Sequence, residues 1–311
     1  MQLTCDYLII GAGPSGLLAH SYLKHVMKIP ADRIGHVEAN SFSTTRKMYS
    51  STAAFYVHRH LHPLVTDETI SVAWMIDGPR QDEDFTEQYS EKVYGEQVAG
   101  VSIDEKMAFG YKLNIDHMLA SAGHFDYDRR VTKIYIQNMG SNAKRVDTDK
   151  GTIYAKTIIN TLPLPSFLKL ITRADYGGPI IVPEVIRNMP YEAFRSKPIY
   201  IRQSLLDSPL GKNNMIIIYN YDKEVGHYRT TLAGSLMTRE YMNPAAFGSQ
   251  GIKLTPGKVF PVDKTLLDLD NTKQLLRDSG MYMVGRYANW EKGYKLDQSW
   301  QEMSRLKGLK L

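Results

Sequence analysis

The stretch DYLIIGAGPSGLLAHSYL, residues 6–23, restricts the possible folds more than any other feature of this sequence. The short apolar run YLII is rich in β-branched residues, which is typical of a buried parallel strand. It leads into Gly11, Gly13 and Gly16 with the spacing G-x-G-x-x-G, and the residues that follow are apolar at helical spacing. This order predicts a strand, a tight turn and a helix whose N-terminus holds a phosphate group.

Each glycine of the motif has a separate role in a dinucleotide site. Gly11 permits the tight turn, Gly13 lets the backbone approach a pyrophosphate, and Gly16 lets the helix pack closely on the strand. Pro14 and Ser15 lie between the last two glycines, and we include both among the cofactor-binding residues.

A second apolar strand, RIGHVEAN, contains Glu38 near its end. An acidic residue at this distance from the glycine motif accepts hydrogen bonds from the ribose hydroxyls of an adenosine. A glutamate favours a free 2′-hydroxyl over a 2′-phosphate, so the two features together predict FAD or NAD rather than NADP.

Composition narrows the class of protein. The chain has 311 residues, 43% hydrophobic and 23% charged, which suits one large domain or two interleaved ones. A net charge of +5 suits an anionic ligand. Cys5 is the only cysteine, which excludes an internal disulfide and a multi-thiolate zinc site. We see no signal-peptide pattern and no apolar run long enough to span a bilayer, so we expect a cytoplasmic protein without a membrane partner.

The remaining patterns predict an α/β fold. We expect a Rossmann-type cofactor domain, a parallel sheet with helices, in three pieces: residues 1–65, 105–165 and 275–311. Residues 66–104, which look partly helical, and residues 166–274 form an interleaved substrate domain. Residues 197–242 alternate between apolar and polar, as expected of an antiparallel sheet.

Three further segments resemble, in order, the FAD-binding amine oxidase superfamily, and its UDP-galactopyranose mutase branch looks nearest. They are HFDYDRRVTKIYIQN, GTIYAKTIINTLPLPSFLKL and GMYMVGRYANWEKGYKLDQSWQEMSRL. The resemblance implies FAD as cofactor, with backbone contacts from Val131 to adenine. It also implies that Gly285, Arg286 and Leu296, in VGRY and KLDQS, bracket the pyrophosphate and the isoalloxazine end.

Two departures from typical flavoproteins concern the cofactor. The family usually has a Gly-Gly-Arg turn soon after the acidic residue, and here NSFSTTRKMYSS offers only Arg46 as its counterpart. The sequence also lacks a second G-x-G-x-x-G that would mark a separate NAD(P)H domain. A flavin reduced by an organic substrate must then return its electrons to oxygen or to another external acceptor.

Candidate catalytic residues come from two segments. VHRHLHPL places His58, His60 and His62 at period two, but no carboxylate or cysteine at ligand spacing supports a metal triad. We therefore predict no metal and expect one of these histidines, His60, to line the flavin pocket or to bind a substrate anion. In YRTT we select Arg229, because arginine suits bidentate recognition of a carboxylate or phosphate, and Tyr228 as an aromatic wall beside the flavin.

Three functions stay open at this point. The first is an amine-oxidase-like oxidoreductase or lyase that cleaves a C–N bond in a small-molecule or nucleotide-linked amine. One version of it resembles the FAD-dependent lyases of bacterial viruses, which act in the host cytoplasm on an amino-acid-modified thymine, and would add DNA as a partner. The second is a mutase acting on a nucleotide sugar, and the third is a non-catalytic binding module with the same fold. The sequence does not give the oligomeric state.

Overall fold

A computed structural model describes most of the chain. The described residues are 3–50, 56–58, 61, 65–79, 84–113, 115–122, 125–135, 143–172, 184–246, 251–263 and 267–306. They divide into two compact units. Unit 1 comprises residues 1–45, 115–194 and 262–311, and unit 2 comprises residues 46–114 and 195–261.

The described residues form strands and helices with the following bounds. The strands are β1 (Leu3–Ile10), β2 (Ile34–Val37), β3 (Tyr56–Val57), β4 (Val65–Asp77), β5 (Lys106–Leu113), β6 (Val131–Tyr135), β7 (Lys144–Thr148), β8 (Gly151–Asn160), β9 (Ser196–Leu205), β10 (Asn214–Asn220), β11 (His227–Ala233), β12 (Leu236–Tyr241), β13 (Ile252–Val259) and β14 (Met281–Met283). The helices are α1 (Pro14–Ser21), α2 (Phe42–Ser50), α3 (Phe85–Tyr94), α4 (Ile115–Ala122), α5 (Leu164–Thr172), α6 (Glu184–Arg187), α7 (Leu269–Asp278), α8 (Arg286–Asn289) and α9 (Leu296–Leu306). None of the described helices is long and apolar enough to cross a membrane.

Unit 1 is built on a six-stranded sheet. Its parallel part has the order β2-β1-β8-β14, and an antiparallel extension continues from β8 through β7 to β6. The apolar run of β1 is fully buried, as expected of a central parallel strand covered on both faces. Helix α1 follows β1 directly, so the turn between them lies at the carboxyl edge of the parallel strands, where ligands bind in open α/β sheets.

Unit 2 is built on an eight-stranded sheet with the order β13-β9-β12-β11-β10-β4-β5-β3. All of its neighbours pair antiparallel except β10 and β4, which are parallel. Helix α3 covers part of one face, where Tyr89 and Val93 pack with Ile199, Ile201 and Tyr228.

The α/β fold class, with parallel and antiparallel sheets, is confirmed. The antiparallel strands expected within residues 197–242 are β9 to β12. The segment expected to be partly helical begins with the 13-residue strand β4 and contains helix α3.

The two units divide the chain at other positions than the expected domains. The units change after residues 45, 114, 194 and 261, whereas we expected boundaries near 65, 105, 165 and 275. Strand β5, which we placed in the cofactor domain, lies in unit 2 because it pairs with β4, from Thr69 opposite Tyr111 to Trp74 opposite Lys106.

Candidate functional site

The glycine turn between β1 and α1 gives each of its glycines a different environment. Gly11 has a φ of +99°, which L side chains rarely adopt. A Cβ on Gly16 would lie 2.0 Å from the carbonyl oxygen of Gly11, so only glycine allows the helix to start this close to the turn. A Cβ on Gly13 would meet nothing within 4 Å. The turn is therefore closely packed at Gly11 and Gly16 and open over Gly13.

The start of helix α1 offers donors beside this open position. Pro14 occupies the first turn of the helix, where a missing N–H is not needed. The N–H groups of a helix's first turn have no partner within the helix and lie at the positive end of its dipole. Thr161 follows β8 directly. Its hydroxyl donates to the carbonyl of Ile10 at 2.8 Å and so holds the end of β1 in place before the turn.

The Glu38 carboxylate is held against the same turn. Its Oε2 accepts the N–H of Ala12 at 2.7 Å, and its Oε1 accepts the backbone N–H of Asn40 at 2.8 Å and the Asn40 side-chain amide at 2.7 Å. Backbone hydrogen bonds with Asp126 and Arg129 on either side fix the position of Glu38. Glu38 is partly exposed, and three of the roughly four acceptor positions of its carboxylate are used, so it retains acceptor capacity for a hydroxyl.

Two stacked histidines lie under the turn, and the sequence reasoning missed both. Nε2 of His36 donates to the carbonyl oxygen of Gly11 at 2.9 Å, and the ring of His20 stacks on that of His36 with centroids 5.6 Å apart. Both residues are 3% exposed. Burial lowers the pKa of His36 well below its ordinary value, and it lowers that of His20 to about 4, with smaller contributions from Lys24 and His25. Strand alternation carried a signal, because His36 lies two residues before Glu38 and so on the side of the chain that Glu38 continues.

The buried state of His20 predicts a loss of stability in acid. The unfolded chain takes up a proton on His20 near its ordinary pKa of 6.5, whereas the folded protein keeps the ring neutral down to about pH 4. The free energy of unfolding should therefore fall by about 3 kcal/mol as the pH drops from 6.5 to 4. Denaturant unfolding across this range should show a smaller pH dependence in His20→Leu than in the wild type, and equal slopes would contradict the prediction.

The C-terminal residues selected from the sequence lie in unit 1. Gly285 has a φ of +103°, and a Cβ there would lie 2.5 Å from the hydroxyl oxygen of Ser15, so this glycine packs against the start of α1. Arg286 begins α8, is exposed and donates through Nε to the carbonyl of Tyr294 at 3.3 Å. Leu296 is the first residue of α9, and Val131 is the first residue of β6.

The remaining residues selected from the sequence are Arg46 and the histidines of VHRHLHPL. Arg46 is exposed on α2, at the point where unit 2 begins. His58 is exposed and its ring lies 5.4 Å from that of Tyr56, whereas His60 and His62 fall outside the described residues. In the part of the chain that the structure describes, no three His, Cys, Asp or Glu side chains are placed to hold a metal ion.

Tyr228 and Arg229 share one carboxylate in unit 2. The hydroxyl of Tyr228 donates to Oε2 of Glu240, and Arg229 donates to Oε1 through Nε at 2.8 Å and through a second nitrogen. A β-bulge lies between His227 and Arg229, where β11 pairs with β12. The extra residue of a bulge changes side-chain direction, and here Tyr228 and Arg229 both reach Glu240.

The charges of this cluster are balanced internally. Burial opposes the charge of Arg229, but Glu240 outweighs it and holds the pKa of Arg229 well above its ordinary value. Burial alone would raise the pKa of Glu240, but Arg229 and then Lys258 outweigh it and lower that pKa. Burial, and next Glu240, raises the pKa of Tyr228. The contacts give Tyr228 and Arg229 a structural role, and the catalytic role selected for them stays a prediction.

A polar cleft of about 560 Å³ lies elsewhere in unit 1, between α7 and α9. Its lining has three acidic and three basic side chains, and among them Glu302 pairs with both Arg277 and Arg305. The residues of the glycine turn do not line it. The cleft is therefore separate from the candidate cofactor site.

Comparisons with known proteins identify the fold. No protein-family model and no curated protein sequence matches the chain. Among solved structures, it is similar to reduced UDP-galactopyranose mutase, with a TM-score of 0.61 and 11% identity, covering 98% of this chain and 96% of that one. It is similar to a fatty acid isomerase from P. acnes, with a TM-score of 0.57 and 11% identity over 99% of both chains.

A third solved structure extends the comparison to amine oxidases. Putrescine oxidase, bound to putrescine, has a TM-score of 0.55 and 9% identity, covering 99% of this chain and 100% of that one. These likenesses span nearly the whole chain, so they include both units. The chain therefore shares its overall fold with these three solved structures, as the sequence motifs predicted.

Proposed function

We propose that this protein is an FAD-dependent oxidoreductase of the amine-oxidase type. The observation that carries the proposal is the glycine turn, open over Gly13, with the Glu38 carboxylate fixed to the N–H of Ala12 beside it. A pyrophosphate fits the open side of the turn, and a ribose diol fits the free side of the carboxylate. The residues present therefore fit the adenosine diphosphate half of the cofactor.

The fold supports FAD over NAD as the occupant. The antiparallel strands β6 and β7 extend the parallel sheet from β8, and the backbone of Phe125 to Arg129 runs beside the end of β2. Strand β6 begins at Val131, and the family resemblance implies that the backbone of Val131 contacts the adenine. The solved structures of similar fold, a mutase and an oxidase among them, come from this superfamily.

The chain's own residues position the cofactor and do not carry out the oxidation. The N–H groups in the first turn of α1 would donate hydrogen bonds to the pyrophosphate, and Glu38 would orient the ribose. Gly285 would let the backbone before α8 pack close to Ser15 at the start of α1. The bound flavin would supply a two-electron acceptor for a hydride from the substrate.

We infer an amine as substrate. Putrescine oxidase has the same fold and was solved with a diamine bound. Transfer of a hydride from the carbon beside the nitrogen to the bound flavin, with loss of the N–H proton, would give an imine. Water would then hydrolyse the imine, breaking the C–N bond and releasing ammonia or an amine together with an aldehyde or keto acid. The narrower form of the proposal, an amino-acid-modified thymine in DNA, is supported by the net charge of +5 alone.

Anaerobic mixing tests this function directly. Amines of several sizes and an amino-acid-modified oligonucleotide are added to the FAD-loaded protein, and the flavin absorbance is followed. We expect one of the amines to bleach the flavin without any added reductant and to yield a carbonyl product. The Gly13→Val variant, which should not hold the cofactor, is the matched control.

The mutase alternative makes the opposite prediction in the same experiment. The fold similarity to UDP-galactopyranose mutase keeps it as a second candidate. A mutase would leave every amine unreacted and would isomerise a UDP-sugar only after chemical reduction, with no net oxidation. That outcome would replace the amine-oxidase proposal.

A further inference from the structure

Two arginines lie side by side on one face of the eight-stranded sheet. Arg239 of β12 is directly opposite Arg202 of β9, and both are exposed. Like charges in directly opposite positions destabilise a sheet. Within the described ranges, neither guanidinium forms an ion pair or a hydrogen bond. Among the residues that the structure describes, no carboxylate pairs with either arginine.

This face is separate from the Glu240 cluster. Successive side chains of a strand point to opposite faces, so Arg239 points away from the face on which Glu240 meets Tyr228 and Arg229. Glu240 is 5% exposed and its charge is already matched by Arg229. It cannot serve as the missing counter-ion for Arg239.

The neighbours of the two arginines are neutral or basic. Tyr200 and Ser204 flank Arg202 along β9, and Met237 and Tyr241 flank Arg239 along β12. Lys253 of β13 lies opposite Tyr200 and is exposed, which adds a third cation next to the pair. This surface offers guanidinium, ammonium and hydroxyl donors beside a tyrosine ring, and none of the residues named is acidic.

We propose that Arg202 and Arg239 form a binding site for the phosphate monoester group of a small molecule. A phosphate monoester carries nearly two negative charges at neutral pH, which matches the two guanidinium groups. Each guanidinium presents a planar fork of N–H donors that suits phosphate oxygens. The site uses residues of unit 2 alone and does not depend on the proposed cofactor or reaction.

Calorimetric titration of the full-length protein in a phosphate-free buffer tests this site. The probes are inorganic phosphate and O-phosphoethanolamine, with ethanolamine as the probe that lacks the phosphate. We expect one site per chain for both phosphates and none for ethanolamine. Arg239→Glu and Arg202→Gln should each weaken phosphate binding by about tenfold or more.

The thermal stability of the Arg239→Glu variant gives a second readout. Arg239→Glu places a carboxylate opposite Arg202, so it should raise the thermal midpoint of the ligand-free protein while it removes binding. Lys212→Glu is the matched control, because it makes the same change of charge in unit 2 at a residue that is paired with Glu68. It should leave phosphate affinity nearly unchanged.

Three results would overturn the assignment. The first is the absence of phosphate binding, and the second is equal weakening by Arg239→Glu and Lys212→Glu. The third is an oligonucleotide without a terminal phosphate that binds more tightly than O-phosphoethanolamine through the same arginines, which would make the face a nucleic-acid surface instead.

Discussion

Gly16→Ala should strongly destabilise the protein, whereas Gly13→Ala should leave it folded. The added methyl group at position 16 would lie 2.0 Å from the Gly11 carbonyl oxygen, a backbone atom that cannot move without breaking the turn. We expect a loss of about 3 kcal/mol or more in the free energy of unfolding. At position 13 the methyl group meets no atom within 4 Å and the backbone φ is −65°, so stability should change little.

Cofactor binding should also be affected by substitution at Gly13, in a way that stability is not. Gly13→Val should fold normally yet bind FAD more weakly by about 100-fold or more, because its side chain fills the space over the turn that we assign to the pyrophosphate. Denaturant unfolding and flavin-fluorescence titration of the variants measure the two effects. Equal stability of the Gly13 and Gly16 variants would contradict the packing, and unchanged FAD affinity in Gly13→Val would contradict the location of the site.

Glu240→Ala should strongly destabilise unit 2. The Glu240 side chain is buried and accepts hydrogen bonds from both Tyr228 and Arg229, so its removal leaves a partly buried guanidinium without a counter-charge. Breaking a buried ion pair in this way costs about 3–5 kcal/mol. The expected result is a large fall in the free energy of unfolding.

Two variants control for this effect. The double substitution Arg229→Met with Glu240→Leu removes both charges and should recover most of the lost stability. Glu91→Ala removes an exposed pair with Lys223 and should cost less than about 1 kcal/mol. If Glu240→Ala costs no more than Glu91→Ala, the hydrogen bonds of Glu240 to Tyr228 and Arg229 do not stabilise unit 2.

The elements that follow from local chemistry could be predicted from the sequence. The strand, glycine turn and helix at the N-terminus depend on residue types in one short stretch, because φ values above zero and close backbone approaches require glycine. The position of Glu38 beside the turn follows from the register of β2 and β1.

The polar cluster of unit 2 depends on pairing across strands, which local patterns specify only in part. The two-residue turn at Gly234 and Ser235 sets the register of β11 and β12, and counting outward from it places Arg229 opposite Glu240. That signal was present in the sequence. The bulge that brings Tyr228 to the same carboxylate was not, because a bulge depends on packing against α3 and the neighbouring strands.

The sequence pattern also did not predict the parallel pairing of β4 with β10. These strands are separated by more than a hundred residues, and neither carries a signal for its partner. Strand β5 pairs with β4, so it belongs to the same unit as β4 and β10 and not to unit 1. Domain boundaries set by such long-range contacts cannot be derived from composition or periodicity.

Titration of the purified protein with FAD tests the central claim most directly, with Glu38→Ala as the companion variant. We predict about one tightly bound, non-covalent FAD per chain, because the site is formed once, by the glycine turn and Glu38. Glu38→Ala should weaken binding by about 1–3 kcal/mol through the loss of charge-assisted hydrogen bonds to the ribose. A folded protein that binds no FAD, or that binds it equally well without the Glu38 carboxylate, would contradict the account.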